Sequence, residues 1–347
     1  MTLQTRRRIF YILVVAFFII GAGVVGYAEG WRFDFSKWRL EKTGAIYIRS
    51  YPTDASIFLD GKPVQNQSGF LSPGTLISDL LPRNYQIALK ASGYDPWREN
   101  APVEPSLVVQ LKSAVLVPAS GTVVASATIS LGASGAAGGE EATFASPKQF
   151  ATLVGKIEAP TATDPYDPFI TAKFSPTQGA IMIYDKSQAT TTESIPVPGN
   201  NRTVSWINPS TVGVLQTNGE LYLYDAGSRH LQKIADDVSS FSSSANGTMI
   251  AAIEWNSLEI FTLNDPSGYY RFNIPQPWLI RNALWYRDNS HLLLEYPNRV
   301  AFLDFADESL ANLTTVAYGT TPYYDAAANM LYLINKSGSV TSYQFPQ

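Results

Sequence analysis

The residues of this chain whose types and spacing could do chemistry without cysteine or histidine are its carboxylates. The 347 residues contain no cysteine, which excludes disulfides, thiolate metal sites and cysteine nucleophiles together. Histidine occurs twice, at His230 and His291, in separate segments and without a Glu-x-x-His companion. Neither a histidine metal centre nor a Ser/His relay is therefore expected. What remains is a set of acids at recurring positions. Asp185, Asp225 and Asp304 each end or follow an apolar strand, a placement that would ring one end of a repeat array with carboxylates. Paired carboxylates can act on glycans as general acid and base. The same placement is where Asp bonds its own backbone after a strand, and turn formation is the reading adopted. Asp164-Pro165-Tyr166-Asp167-Pro168 is likewise read as a turn cluster, because it lacks the alternating oxygen ligands and the glycine of an EF-hand. No Gly-x-Ser-x-Gly elbow occurs. No catalytic, cofactor-binding or metal-binding residue is assigned.

The elements that would position such residues begin with an apolar helix. From Ile9 to Val25 the chain carries no charge, with Arg6, Arg7 and Arg8 before it and Glu29 after it. At ~1.5 Å per residue, the run through Ala28 spans roughly 30 Å, one hydrocarbon core. The positive-inside rule places residues 1–8 in the cytoplasm and the rest of the chain outside a cell membrane crossed once by residues 9–28. Gly26-Tyr27-Ala28 has the form of a cleavage site, but the uncharged run exceeds the ~7 to 15 residues of a signal-peptide core, so the helix is read as a retained anchor in the lipid bilayer. In residues 29–43, Trp31, Phe35 and Trp38 recur at i, i+4 and i+7 between Arg32, Asp34, Lys37 and Arg39. This spacing predicts a helical continuation with its rings at the headgroup level, or packed on the domain that follows. Residues 29–347 hold 22 basic and 29 acidic side chains, a net charge of −7 without a basic stripe. That balance argues against a nucleic-acid partner.

Residues 44–112 read as short strands with frequent turns. Ala45–Ser50 and Tyr85–Lys90 alternate, Ser56–Leu59 runs into the tight turn Asp60-Gly61, and Leu107–Leu111 closes the unit. Strands this short in so few residues predict a small β-sandwich. The runs Tyr51-Pro52-Thr53-Asp54-Ala55 to Asp60-Gly61-Lys62, then Leu80-Leu81-Pro82-Arg83-Asn84-Tyr85, then Gly93-Tyr94 resemble the PEGA domain. That family shows Pro-x-Gly-Ala before a strand and Asp-Gly, then Leu-x-Pro-Gly-x-Tyr and Gly-Tyr. The sequence departs at Thr53-Asp54 and at Asn84, where Asn stands for glycine and is expected to hold a left-handed backbone. The resemblance implies a surface or membrane-anchored bacterial or archaeal protein and brings no catalytic residue.

Residues 113–347 are read as a repeat domain. Its small-residue segment, about 131–141, predicts a mobile loop or insert, without a helix signal after its glycines. From Phe174 five segments open on an aromatic, at Phe174, Trp206, Phe241, Trp285 and Tyr324, spaced 32, 35, 44 and 39 residues apart. Each passes through a Pro, Asn, Asp or Gly turn into an alternating apolar strand. In the later four a second turn follows, at Asn218-Gly219, Asn256, Pro297-Asn298 and Ser337-Gly338, and then another strand. Strand and turn repeated in this order are what blades around an axis require, and the spacing is near the ~40 to 50 residues of a four-stranded blade. The Phe-Ser-Pro-x-x-Gly form resembles TolB-like and WD40-like repeats. The expected fold is all-β: one transmembrane helix, a small PEGA-like β-sandwich, then a β-propeller of about six blades, range five to seven, to which residues 113–165 give the first and closing strands. An open β-sandwich is the alternative.

The function expected from this layout is an extracytoplasmic, non-catalytic binding or scaffold protein of the cell envelope. Its partner would be a protein or a glycan. Two alternatives follow from the same sequence: a glycan-acting envelope enzyme using propeller-mouth carboxylates, and a sensory ectodomain working with a separate membrane partner, since only about eight residues precede the span.

Overall fold

The computed structural model describes residues 3–35, 37–69, 72–119, 121–124, 127–131, 140–144, 146–157, 162–163, 170–175, 178–197, 201–305 and 312–346. The chain divides into two compact units, Met1–Leu116 and Val117–Gln347.

The first unit opens on the helix α1 (Leu3–Ala28). Its stretch Arg6–Ala28 is long and apolar enough to cross a membrane and is unburied in the fold. The helix stops where the chain turns left-handed at Gly30, φ 85°, a conformation that costs a residue without Cβ little. The Gly30 carbonyl then accepts hydrogen bonds from the backbone N–H (2.9 Å) and hydroxyl (3.0 Å) of Thr43. Between those two residues lies an antiparallel hairpin, β1 (Trp31–Asp34) and β2 (Arg39–Lys42). The helical continuation expected for Trp31, Phe35 and Trp38 is therefore corrected. The spacing i, i+4, i+7 also fits a hairpin whose strand and loop rings share one face.

The sandwich follows from alternation. Strand β3 (Gly44–Tyr51) buries every second residue and lies between β6 (Thr75–Leu80), antiparallel, and β9 (Val108–Val115), parallel. The second sheet has the order β5 (Lys62–Val64), β4 (Ser56–Leu59), β7 (Asn84–Lys90), β8 (Trp97–Pro102). Ile46, Ile48, Ile57, Ile87 and Leu89 meet between the sheets with Tyr85, Trp97 and Leu116. Asp60 and Gly61 both have positive φ, 48° and 77°, as the two-residue turn between β4 and β5 requires. Asn84 does not take the left-handed conformation expected of it. It starts β7 opposite Pro102 in the extended ladder.

In the second unit, β10 (Thr122–Val124), the hairpin β11 (Ala127–Leu131) and β12 (Glu140–Phe144), and the helix α2 (Pro147–Ile157) precede the repeats. Residues 132–139 of the small-residue segment lie outside the described residues. The expectation of no helix after the glycines is corrected by α2. Ser146 caps it through a hydrogen bond from the Gln149 N–H (3.3 Å), Pro147 stands in the first turn, and Phe150, Leu153 and Val154 pack on Tyr332 and Val340.

Among the described residues, five four-stranded antiparallel sheets follow, at the lower end of the expected blade range. Blade I comprises β13 (Ala162–Thr163), β14 (Ile170–Ser175), β15 (Ala180–Asp185) and β16 (Thr190–Pro196). Blade II comprises β17 (Asn201–Asn208), β18 (Thr211–Gln216), β19 (Leu221–Asp225) and β20 (His230–Ala235). Blade III comprises β21 (Val238–Ser243), β22 (Met249–Glu254), β23 (Leu258–Thr262) and β24 (Asp265–Phe272). Blade IV comprises β25 (Asn282–Trp285), β26 (His291–Tyr296), β27 (Arg299–Asp304) and β28 (Asn312–Tyr318). Blade V takes β29 (Thr320–Asp325), β30 (Met330–Ile334) and β31 (Val340–Gln344) from the end of the chain, and its fourth strand is β10.

The β-propeller thus completes its last blade by pairing the first strand of the unit with the last, which ties the two ends of the repeat domain together. Apolar cores lie between successive blades: Ile181, Ile183 and Ile195 against Trp206, Val212 and Tyr224, then Leu215, Leu221 and Leu223 against Ile250 and Phe261. Ile253, Leu258 and Ile260 meet Trp285, Leu292 and Leu303 in the same way. The structure shifts one repeat. Trp206, Phe241, Trp285 and Tyr324 lie on the first strand of their blades, whereas Phe174 lies on the second strand of blade I. Successive hairpins of a meander look alike in sequence, so a one-strand slip leaves the pattern intact.

Candidate partner-binding face of the propeller

An antiparallel four-stranded blade has two ends of different make. The turns joining strands one to two and three to four lie at one end. The turns joining strands two to three, with the links between blades, lie at the other. The repeat acids lie at the first end. Asp185 Oδ1 accepts from the Ser187 N–H (2.8 Å) and hydroxyl (2.6 Å), and these bonds hold its carboxyl below the usual carboxylate range. Asp225 Oδ1 does the same with the N–H (2.6 Å) and hydroxyl (2.8 Å) of Ser228. Asp325 accepts from the N–H groups of Ala327 and Ala328 (2.9 and 3.0 Å). These are turn-forming bonds. Asp164 and Asp167 fall outside the described residues.

Asp304 has a different partner. It stands opposite His291 in the β26–β27 ladder, and the wholly buried imidazole is held between two carboxylates. Nδ1 lies 2.8 Å from Oδ2 of Asp288 and Nε2 lies 3.4 Å from Oδ1 of Asp304, the latter an ion-pair contact without hydrogen-bond geometry. Burial works against protonation, but the two carboxylates prevail and raise the His291 pKa to about 9. Phe302 stacks on the ring (centroids 4.8 Å) and Tyr286 meets it edge-on (6.0 Å). Tyr286 in turn stacks on Tyr324 of blade V (5.5 Å). The imidazole and its two carboxylates lie within blade IV, and Tyr286 carries the packing across to blade V. His230, at the start of β20, is exposed.

The second end carries the exposed aromatics. Trp255, in the turn between β22 and β23, and Trp278, in the 3-10 turn Pro277–Leu279 that links blade III to blade IV, stack with ring centroids 6.5 Å apart and planes 30° apart. They are 69% and 53% exposed, unusual for residues of this size. Beside them, Arg271 on β24 bonds Glu259 on β23 and lies 3.8 Å from Glu254 at the end of β22. Burial, chiefly, and then the Glu259 charge push the Glu254 carboxyl up, while the Ser257 hydroxyl donates to it at 2.8 Å. At this end the fold brings Glu254 and Glu259 together, held within a blade and clamped by an arginine. None of Asp185, Asp225 and Asp304 joins them. Neighbouring blades repeat a cation-and-ring or cation-and-acid theme at this end: Lys233 with Glu220 (2.7 Å), Arg299 over the Tyr296 ring (4.5 Å), and Lys336 over Tyr318 (5.4 Å). Among the described residues, no cluster of three or more His, Asp or Glu side chains is placed to hold a metal.

The sequence reading misses this face, although it places a turn at Asn256. A tryptophan at a turn tip, where burial is least available, is the signal that could have found it. Of the residues assigned from sequence, Arg6, Arg7 and Arg8 lie exposed on the first turns of α1, and Trp31, Phe35 and Trp38 are gathered on one face of the β1–β2 hairpin.

No family model and no curated protein matches the chain. Solved structures similar to it include the Cps50 (Swd1) β-propeller domain of Myceliophteria thermophila, at 10% identity over 51% of this chain and 65% of that one, with a TM-score of 0.39. Hsv2 of Kluyveromyces lactis aligns at 11% identity over 51% of this chain and 56% of that one, TM-score 0.38. Dihydro-heme d1 dehydrogenase NirN in complex with DHE aligns at 13% identity over 50% of this chain and 41% of that one, TM-score 0.41. The chain thus spans less than two thirds of each of these structures.

Proposed function

We propose that this protein is a membrane-anchored, non-catalytic scaffold of the cell envelope whose propeller holds a protein partner on the face built around Trp255 and Trp278. In this reading α1 is a retained anchor with Arg6, Arg7 and Arg8 on the cytoplasmic side, the sandwich is of the PEGA type, and the propeller is extracytoplasmic. The observation that carries the reading is the stacked, solvent-facing tryptophan pair. Tryptophan and arginine are the residues that most often anchor protein interfaces, because a large rigid ring loses little entropy when covered. Arg271, half-exposed and held by the buried Glu254 and Glu259, supplies a charge of the kind that sets orientation and specificity.

The test is quantitative crosslinking and recovery from solubilised envelope with the full-length protein and a W255A/W278A variant. Both side chains are mostly exposed, so the variant is expected to keep its thermal midpoint within a few degrees, while recovery of a specific protein partner falls by roughly tenfold or more. Equal recovery from the two proteins would remove this face from the reading. Loss of envelope polysaccharide in place of protein would reassign the partner as a glycan.

A further inference from the structure

The β1–β2 hairpin is amphipathic in an inverted sense. Its register pairs Trp31 with Lys42, Arg32 with Glu41, Phe33 with Leu40 and Asp34 with Arg39, so one face carries Trp31, Phe33, Leu40 and Lys42 and the other carries Arg32, Asp34, Arg39 and Glu41. The charged face is the one turned into the fold. Asp34 and Glu41 are 5% and 8% exposed. Lys37 sits between them, 3.7 Å from Asp34 and 3.3 Å from Glu41, and donates to the Pro82 carbonyl of the sandwich at 3.5 Å. Arg39 also bonds Glu41, and Arg32 donates to Asp79 on β6 at 2.7 Å. The apolar face looks outward. Phe35 and Trp38, in the hairpin loop, are 78% and 80% exposed and close on Phe33 edge-to-face at 5.0 and 5.9 Å, with Leu40 exposed beside them. At ~200 Å² for a large ring, the patch is on the order of several hundred Å², larger than a water-facing surface commonly leaves uncovered.

The position of this patch says what covers it. The hairpin follows directly on α1 and is tied to the last turn of that helix. Arg32 donates to the Tyr27 carbonyl (2.8 Å), and its guanidinium lies 3.6 Å over the Tyr27 ring. Four-residue strands rising ~3.4 Å per residue make the hairpin only about 14 Å long. Beyond the hydrocarbon core, a bilayer has a headgroup layer of roughly 5–8 Å on each side, which the hairpin spans or abuts. Tryptophan rings favour that layer. Because the two carboxylates face inward, the charge on the ring-bearing face is that of Lys42, which lies 5.5 Å over the Trp31 ring and suits anionic lipid headgroups.

We propose that the β1–β2 hairpin lies in the headgroup layer as a second membrane attachment, with Trp31, Phe33, Phe35, Trp38 and Leu40 toward the lipid. Its inward bonds to Asp79 and Pro82 then hold the sandwich at a fixed tilt to the bilayer, a constraint that a single helix with a free linker does not supply. This rests on the reading of α1 as a retained span, and the experiment separates the two. The chain has no cysteine, so single-cysteine variants A16C and F35C of the full-length protein can each carry one environment-sensitive fluorophore in phosphatidylcholine/phosphatidylglycerol vesicles. Nitroxide lipids labelled near the headgroup and near the acyl terminus then report depth. The label at position 16 is expected to be quenched most by the deep nitroxide, and the label at position 35 several-fold more by the shallow nitroxide than by the deep one. A quenched label at 16 with an unquenched, iodide-accessible label at 35 overturns the hairpin proposal and leaves the anchor standing. No quenching at either position overturns the anchor itself. In a second measurement, adding W38E and L40E to the F35C protein is expected to raise iodide access to its label several-fold without moving the thermal midpoint. A fall of roughly ten degrees or more would show that these rings pack on protein, and that outcome also overturns the proposal.

Discussion

His291 shows how far the chemistry of one side chain is set by its surroundings. An imidazole buried alone loses its proton readily, but Asp288 and Asp304 flank this one and raise its pKa to about 9. An unfolded histidine titrates near ~6.5, so the folded state binds the proton more tightly. The stabilisation is therefore fully present below about pH 6.5 and is lost as pH rises through about 9. Its size is on the order of 3 kcal/mol, which for a unit of this length is a shift of roughly 5–10 °C. Thermal unfolding of the propeller is expected to fall by that amount between about pH 6.5 and about 9.5. An H291Q variant should start lower and show a flattened pH profile, with the gap to wild type narrowing at high pH. A wild-type midpoint that does not move over this range would show that the histidine is neutral in the fold. The sequence displays Asp288-x-x-His291 but not the cross-strand register that brings Asp304 opposite. Asp185 and Asp225, by contrast, act as local turn formers, and a local interaction is what a sequence displays best.

Among the elements, β10 has the largest consequence for its length. Its residues pair with Ser342, Thr341 and Val340 of β31 and complete blade V. A proline at Val123 removes a backbone donor and adds a ring that a ladder tolerates poorly. V123P is expected to lower the propeller midpoint by roughly 5–10 °C, read by calorimetry or by near-ultraviolet circular dichroism with the sandwich as an internal reference. An unchanged midpoint would mean that the ring holds without its closing strand. Sequence alone located β3, β4, β7 and the turns of blades II to V, because period-2 alternation and Asn-Gly or Asp-Gly turns are local signals. It placed Phe174 one strand out of register, and it read the β1–β2 hairpin as helix because three rings at i, i+4 and i+7 satisfy both geometries. The α2 helix is legible in Ser146, Pro147 and the Phe150, Leu153, Val154 spacing, but it is a short signal beside a long glycine-rich run.

For the whole molecule, the absence of cysteine turns topology into a measurement. Single cysteines placed at Gln4 and at Ser337, both exposed, are expected to react oppositely with a membrane-impermeant maleimide in intact cells: the S337C protein labelled, the Q4C protein protected until the membrane is opened. Replacing Arg6, Arg7 and Arg8 by glutamate removes the orientation signal and should reduce or invert that pattern. Labelling of the Q4C protein alone, with the three arginines in place, would reverse the proposed orientation. What the sequence by itself determined was the set of local and periodic properties: an apolar run of membrane length, an all-β chain, recurring blades, and the lack of thiol or paired-histidine chemistry. Only the tertiary structure decided which residues meet across the sheets. Trp255 and Trp278 stack although they belong to separate connections, Glu254 and Glu259 share Arg271, and the charged face of the hairpin turns inward. Each of these depends on register between strands, and register is fixed by the summed packing of whole blades and sheets, which no short stretch of sequence contains.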